Sequence, residues 1–140
     1  MKLQNNFFKI FSSVLLIFSA LALSNCTKSS INGDLDGKWQ ILEIETDGVS
    51  HSIKDEQLYY NFYMHVCNLS YYSGVLTDGN MRFENNSLWL QFPYLTTQEG
   101  MLKLHRYGIF SNPVTFSVVH LSKSKLILKE GDIIITLSKF

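Results

Sequence analysis

The chain reads as an all-β domain: an eight-stranded antiparallel up-and-down barrel with one short helix, preceded by an N-terminal signal segment. Three observations predict this. Residues 26–140 contain no alanine, while Val, Ile, Thr, Phe, Tyr and Trp supply 37 of those 115 residues, a balance that favours strands over helices. Residues 57–69 alternate, with Leu58, Tyr60, Phe62, Met64 and Val66 on one face and Tyr59, Asn61, Tyr63, His65 and Cys67 on the other, which is the period of a half-buried strand. Turn pairs such as Asp47-Gly48, Asp78-Gly79, Asn85-Asn86 and Gly131-Asp132 punctuate the chain at short intervals, as hairpins require.

The elements follow in order. Residues 1–25 contain Lys2 and Lys9 but no Asp or Glu, and Ile10 to Leu23 is an apolar run broken only by Ser12, Ser13 and Ser19. This is the layout of a secretory signal. The run is short for a retained transmembrane helix, which needs roughly 20 apolar residues. Leu23-Ser24-Asn25-Cys26 resembles the bacterial lipobox, with Asn25 departing from the usual Gly, Ala or Ser before the cysteine. The resemblance implies that Cys26 is lipidated through its thiol and becomes the first residue of the mature protein. The alternative is a secreted protein cut elsewhere, with Cys26 a free thiol or paired with Cys67. The polar stretch to Asp34 suits a flexible tether over 26–34, leaving 35–140 as one barrel domain.

Within that domain, strands are expected at 37–46, 57–69, 71–77, 80–84 and 87–92, the last stopped by Pro93. Thr96-Thr97-Gln98-Glu99 has the spacing of a capping box and predicts a short helix at about 97–107 closed by Gly108. A strand through Met101 to Tyr107 is the competing assignment. Three further strands at 114–121, 126–130 and 133–140 complete eight, and eight strands in meander order can close a barrel and remove both edges.

Gly37-Lys38-Trp39 at the start of the first strand resembles the G-x-W signature of lipocalins and other calycins. The eight-strand meander and the hairpin from Leu126 to Phe140 are similar to those of small lipocalin-like lipoproteins of Bacteroidota type. The resemblance covers roughly residues 35–140 and implies a barrel with the tryptophan plugging one end and a location in the cell envelope. The chain is shorter than a full lipocalin, has no long helix after the last strand, and carries its helix between the fifth and sixth strands. Those departures leave a hollow and a filled interior as alternatives.

Function follows less directly. Ten Lys and Arg against twelve Asp and Glu in residues 26–140 give no basic stripe, so nucleic acid is not an expected partner. His65 and Cys67, two apart on one expected strand face, can offer two zinc ligands, but His51, His105 and His120 are scattered and no H-E-x-x-H or paired C-x-x-C completes a site. There is no G-x-S-x-G elbow, no G-x-G-x-x-G and no Walker sequence, and the carboxylate pairs Asp34/Asp36, Glu43/Glu45 and Asp55/Glu56 lie near turns or on the mixed first strand. No catalytic residue, metal or cofactor is expected. Asn68-Leu69-Ser70 and Asn85-Asn86-Ser87 match the N-glycosylation pattern but carry no weight in a bacterial envelope protein.

The remaining cue is aromatic. Trp39, Leu58, Tyr60, Phe62, Met64, Leu88, Leu90, Phe92, Phe116 and Val118 are the expected inward residues, able to line a cavity for one small apolar ligand or simply to pack. Tyr59, Tyr63, Tyr71 and Tyr72 are expected on the other face, as a contact surface for protein or glycan or as edge packing. The expected protein is therefore a non-enzymatic, lipid-anchored lipocalin-like binder on the periplasmic side of the outer membrane, with a protein-interaction module of an envelope complex as the alternative.

Overall fold

The structure is a computed structural model that describes residues 30–140; the expected signal segment, the lipobox-like sequence and Cys26 lie outside the described residues. Nine strands form one sheet: β1 (Gly37–Thr46), β2 (Val49–Ser52), β3 (Tyr59–Tyr63), β4 (Val66–Tyr71), β5 (Gly74–Glu84), β6 (Ser87–Gln91), β7 (Val114–Leu121), β8 (Lys125–Glu130) and β9 (Ile133–Lys139), with the helix α1 (Gln98–His105) between β6 and β7. The sheet order is β2-β1-β3-β4-β5-β6-β7-β8-β9 with every neighbouring pair antiparallel, and β1 also pairs with β9 from Trp39↔Lys139 to Thr46↔Ile133. That pairing closes an eight-stranded barrel, as the turn spacing predicts. β2 stands outside the ring.

β1 serves three partners because it is bulged between Ile41 and Glu43. Its first half pairs with β3 and its second half with β2, the bend that an extra residue imposes on a strand. Asp47 and Gly48 both take positive φ, the two-residue hairpin that the pair predicts. All four residues of β2 are exposed, so no alternation marks it, and it is absent from the expected set.

Two expected boundaries are corrected, and the corrections cancel in the strand count. The segment 57–69 is not one strand: Met64-His65 is a turn, with Tyr63 opposite Val66 and Phe62 opposite Cys67. A two-residue turn reverses the alternation. Cys67 and Leu69 therefore face inward and are fully buried, whereas Met64 (43% exposed) and Val66 face solvent. Conversely, 71–77 and 80–84 are not separated by a turn, because β5 runs straight through Asp78-Gly79. Gly79 is there for packing: a Cβ on it would lie 2.5 Å from the Phe92 ring and 2.7 Å from the Gln91 carbonyl oxygen.

Residues 30–34, expected as part of the tether, are hydrogen-bonded to the domain. Ser30 Oγ lies within hydrogen-bond reach, 2.7 Å, of both the Gly33 carbonyl and Asp36 Oδ2, Asn32 Nδ2 donates to Asp36 (2.6 Å) and to the Met64 carbonyl (2.8 Å), and Gly33–Leu35 forms a 3₁₀ turn. Ser30 and Asn32 thus converge on Asp36, and Asn32 ties the entering segment to the β3–β4 turn at the base of the barrel. There Trp39 Nε1 donates to the Leu35 carbonyl at 2.8 Å, and Leu35 and Trp39 are fully buried. Fully burying such side chains stabilises the fold by about 1.5–3 kcal/mol each.

The opposite end is closed by the long connection between β6 and β7. Asn112 clamps it to the end of β6, accepting from the Phe92 amide (2.9 Å) and donating to the Phe92 carbonyl (2.8 Å). The helix begins one residue later than the capping box suggests, with Thr97 as N-cap accepting from the Gly100 amide at 3.1 Å. Glu99 turns instead to Lys103, at 2.9 Å. At the far end Gly108 takes φ +77°, and the Ile109 and Gly108 amides bond the Leu104 and His105 carbonyls, the left-handed closure expected of a glycine there.

Candidate functional site

Nine of the ten expected inward residues, Trp39, Leu58, Tyr60, Phe62, Leu88, Leu90, Phe92, Phe116 and Val118, fall in one core cluster, and Met64 lies outside it. Trp39, Tyr60, Leu88, Leu90, Phe92 and Phe116 each expose 0% of their surface. The wall of a hollow large enough for water presents surface to that hollow, and these side chains present none. The interior is therefore filled around them, the outcome that an eight-stranded barrel reaches when its side chains meet across the axis. Ile41, Cys67, Leu69, Leu126, Leu128, Ile135 and Leu137 complete the filling.

The mouth opposite Trp39 is capped from above. α1 and the residues after it seat Leu104, Tyr107 and Ile109 in the same core. Tyr60 Oη donates to the Tyr107 carbonyl at 2.7 Å, and Tyr107 Oη donates to the Ser70 carbonyl at 3.0 Å, so the cap is tied to both β3 and β4. The two rings meet edge to face at 6.2 Å, a favoured aromatic geometry. Burial pushes the Tyr107 phenol up to about 12, against the opposing pull of Arg106 and with a smaller push from Tyr71. Burial also raises Tyr60, helped by Cys67 and Tyr107. Both hydroxyls are hydrogen-bond donors at neutral pH.

Beside the cap a crevice of about 190 Å³ remains, lined by Tyr71, Leu76, Lys103, Arg106 and Tyr107. It has an apolar floor and two cations on the helix side. Each cation has an exposed partner, Lys103 with Glu99 at 2.9 Å and Arg106 with Glu56 at 3.0 Å. Hydrogen bonding and charge from Lys103 hold Glu99 below the usual carboxylate range. Such a site can hold the polar end of an anionic amphiphile but is smaller than the roughly 300–1,000 Å³ of a pocket that engulfs a whole ligand. Two other recesses, of about 350 Å³ at Arg82 and Trp89 and about 300 Å³ at Val66 and Tyr94, lie on the outer wall.

A sequence model described as lipocalin-like domain matches residues 21–140. The chain belongs to the lipocalin-like domain family. Among solved structures, this lipocalin-like chain is similar to a lipocalin-like protein from Bacteroides uniformis, at 23% identity and a TM-score of 0.64, over 77% of this chain and 100% of that one. It is also similar to an uncharacterized protein from Bacteroides eggerthii, at 17% identity and a TM-score of 0.57, over 75% and 98% of the two chains. At these identities the likeness is one of fold. No curated protein matches the sequence.

The other residues singled out in the sequence of this lipocalin-like domain separate in space. Cys67 is buried in the core, where burial and then Asp78 raise its thiol, while His65 sits exposed in the β3–β4 turn; the two do not converge. No group of three or more His, Cys, Asp or Glu suited to a metal occurs among the described residues. Tyr59 points outward but is nearly buried beneath Phe140 and Lys38, whose ring centroid and ammonium lie 5.2 and 4.1 Å from its ring. Tyr63, Tyr71 and Tyr72 are exposed. The crevice residues Lys103, Arg106, Tyr107, Tyr71 and Leu76 were not an expected site. Their one signal in the sequence is that Lys103, His105 and Arg106 interrupt the helix's apolar stripe.

Proposed function

We propose that the chain is an exported, non-enzymatic binding protein of the bacterial cell envelope, anchored through lipid on Cys26 and held on the periplasmic side of the outer membrane. It takes a small apolar molecule with an anionic end at the helix-capped mouth, the apolar part lying against Leu76, Tyr71 and Tyr107 and the anionic end meeting Lys103 and Arg106. The observation that carries this reading is the crevice beside the cap, since the interior behind it is packed. Lipocalin-like barrels are typically binding scaffolds, although fold alone does not set function.

The test is native mass spectrometry of the protein purified gently from its host. A co-purifying small molecule that is lost in Lys103→Glu/Arg106→Glu supports the reading and identifies the cargo. A polypeptide that stays bare after incubation with host lipid extract overturns it. That outcome favours the second reading, a docking surface for a protein partner built from the exposed Tyr63, Tyr71 and Tyr72. Anchoring is tested separately by incorporation of labelled palmitate in the host, which Cys26→Ser abolishes if the lipobox reading holds.

A further inference from the structure

The two ends of the barrel differ in charge. Strand directions put Gly37, the Met64-His65 turn, the Asn85-Asn86 turn, the connection from Leu121 to Lys125 and Phe140 at the entry end, and the Asp47-Gly48 turn, α1 and the Gly131-Asp132 turn at the mouth end. Among the described residues the entry end carries five cationic side chains, Lys38, Arg82, Lys123, Lys125 and Lys139, against three carboxylates, Asp34, Asp36 and Glu84. The mouth end carries four, Lys54, Lys103, Arg106 and Lys129, against eight: five carboxylates between Glu43 and Glu56, with Glu99, Glu130 and Asp132. Asp78 lies midway along β5.

The cationic end also exposes apolar side chains, as the mouth end does with Val49, Tyr71, Tyr72, Val75, Leu102 and Phe110, so charge is what separates the two. Ile31, Tyr63, Met64, Val66 and Phe140 are all exposed at the cationic end, Tyr63 by 61% and Phe140 by 74%. Met64 stands at φ +54°, a left-handed position where Asn or Gly is favoured and a methionine is strained. Asn32 ties the entering chain to this same tip through the Met64 carbonyl.

We propose that the entry end rests on an anionic phospholipid surface, the β3–β4 tip and Phe140 reaching into the headgroup region while Lys123 and Lys125 lie over lipid phosphates. This rests on the anchoring of Cys26 proposed above. Only Thr27, Lys28 and Ser29 separate Cys26 from Ser30, and four Cα steps span at most about 14 Å, so an anchored chain holds this end within reach of the bilayer. Apolar side chains and basic groups act together at such interfaces. The mouth crevice then points away from the membrane.

The test is flotation of the mature-length Cys26→Ser chain, whose described part from Ser30 contains the complete closed barrel and its core. The vesicles are phosphatidylethanolamine alone or mixed with phosphatidylglycerol, at low ionic strength. The chain binds the phosphatidylglycerol vesicles more tightly, and Lys123→Glu/Lys125→Glu weakens that binding by about five-fold or more per lysine. Lys54→Glu/Lys129→Glu, the same change of net charge at the mouth end, leaves it nearly unchanged. Met64→Asn, which relieves the turn and so melts no lower than the parent, also weakens binding. Equal binding to both vesicles, equal loss in the two double variants, or unchanged binding of folded Met64→Asn overturns the proposal. Palmitate labelling of the full chain is read alongside: vesicle preference without label removes the anchor and leaves the surface, and label without vesicle preference removes the surface alone.

Discussion

Gly79 and Tyr60 show how single side chains set the packing of this barrel. A methyl group on Gly79 would sit 2.5–2.7 Å from the Phe92 ring and the Gln91 carbonyl, and neither the ring, wholly buried, nor the backbone can retreat. Gly79→Ala is expected to destabilise the fold by about 1–3 kcal/mol, the usual cost of overpacking, measured by urea unfolding. Tyr60→Phe keeps the ring but leaves the Tyr107 carbonyl without its 2.7 Å donor. An orphaned buried acceptor costs about 1–3 kcal/mol, and the same unfolding experiment reads it. Identity of core residues is largely legible in sequence at this scale, since apolar and aromatic residues at period two are where burial is found. Met64, Val66, Cys67 and Leu69 are the exceptions, because one unrecognised turn exchanges inside for outside in the strand that follows it.

Among the elements, α1 depends on its own termini, since eight residues are too few for a helix to stand alone in water. Thr97→Ala removes the bond to the Gly100 amide and is expected to cost about 1 kcal/mol, seen as a lower melting temperature and as faster amide exchange at Gly100. The helix was visible in sequence from its cap and its glycine stop, both local signals, while its N-cap shifted by one residue because Glu99 pairs with Lys103 rather than closing a reciprocal box. Strand boundaries were less legible. Asp78-Gly79 carries a turn pair yet lies mid-strand, and Met64-His65 carries none yet turns. β2 offers no pattern at all, having no buried face.

For the whole molecule, the Tyr60–Tyr107–Ser70 chain links β3, the cap and β4, and its two phenols stay protonated in the fold well above their ordinary range. A raised phenol favours the protonated folded state, so its contribution is fully present below the unfolded value of about 10. It is lost as pH rises through the folded value, about 12 for Tyr107. Stability is therefore expected to fall with pH between about 10 and 12. In a spectrophotometric titration, Tyr60 and Tyr107 should ionise only as the fold is lost. Tyr60→Phe should make that decline shallower.

Composition, alternation and turn chemistry determined the class of this protein and, with the G-x-W start, its family, because those follow from backbone preference and from which residues avoid water. The lipid anchor proposed at Cys26 rests on local sequence alone. Whether the barrel is hollow was decided only by tertiary structure: the same inward residues can line a cavity or fill it, and the difference lies in whether side chains from opposite walls meet across the axis. Tertiary structure also decided what closes the mouth and that carboxylates gather at the mouth end, leaving the entry end net cationic, since both depend on segments far apart in the chain, brought together by the closing pairing of β1 with β9.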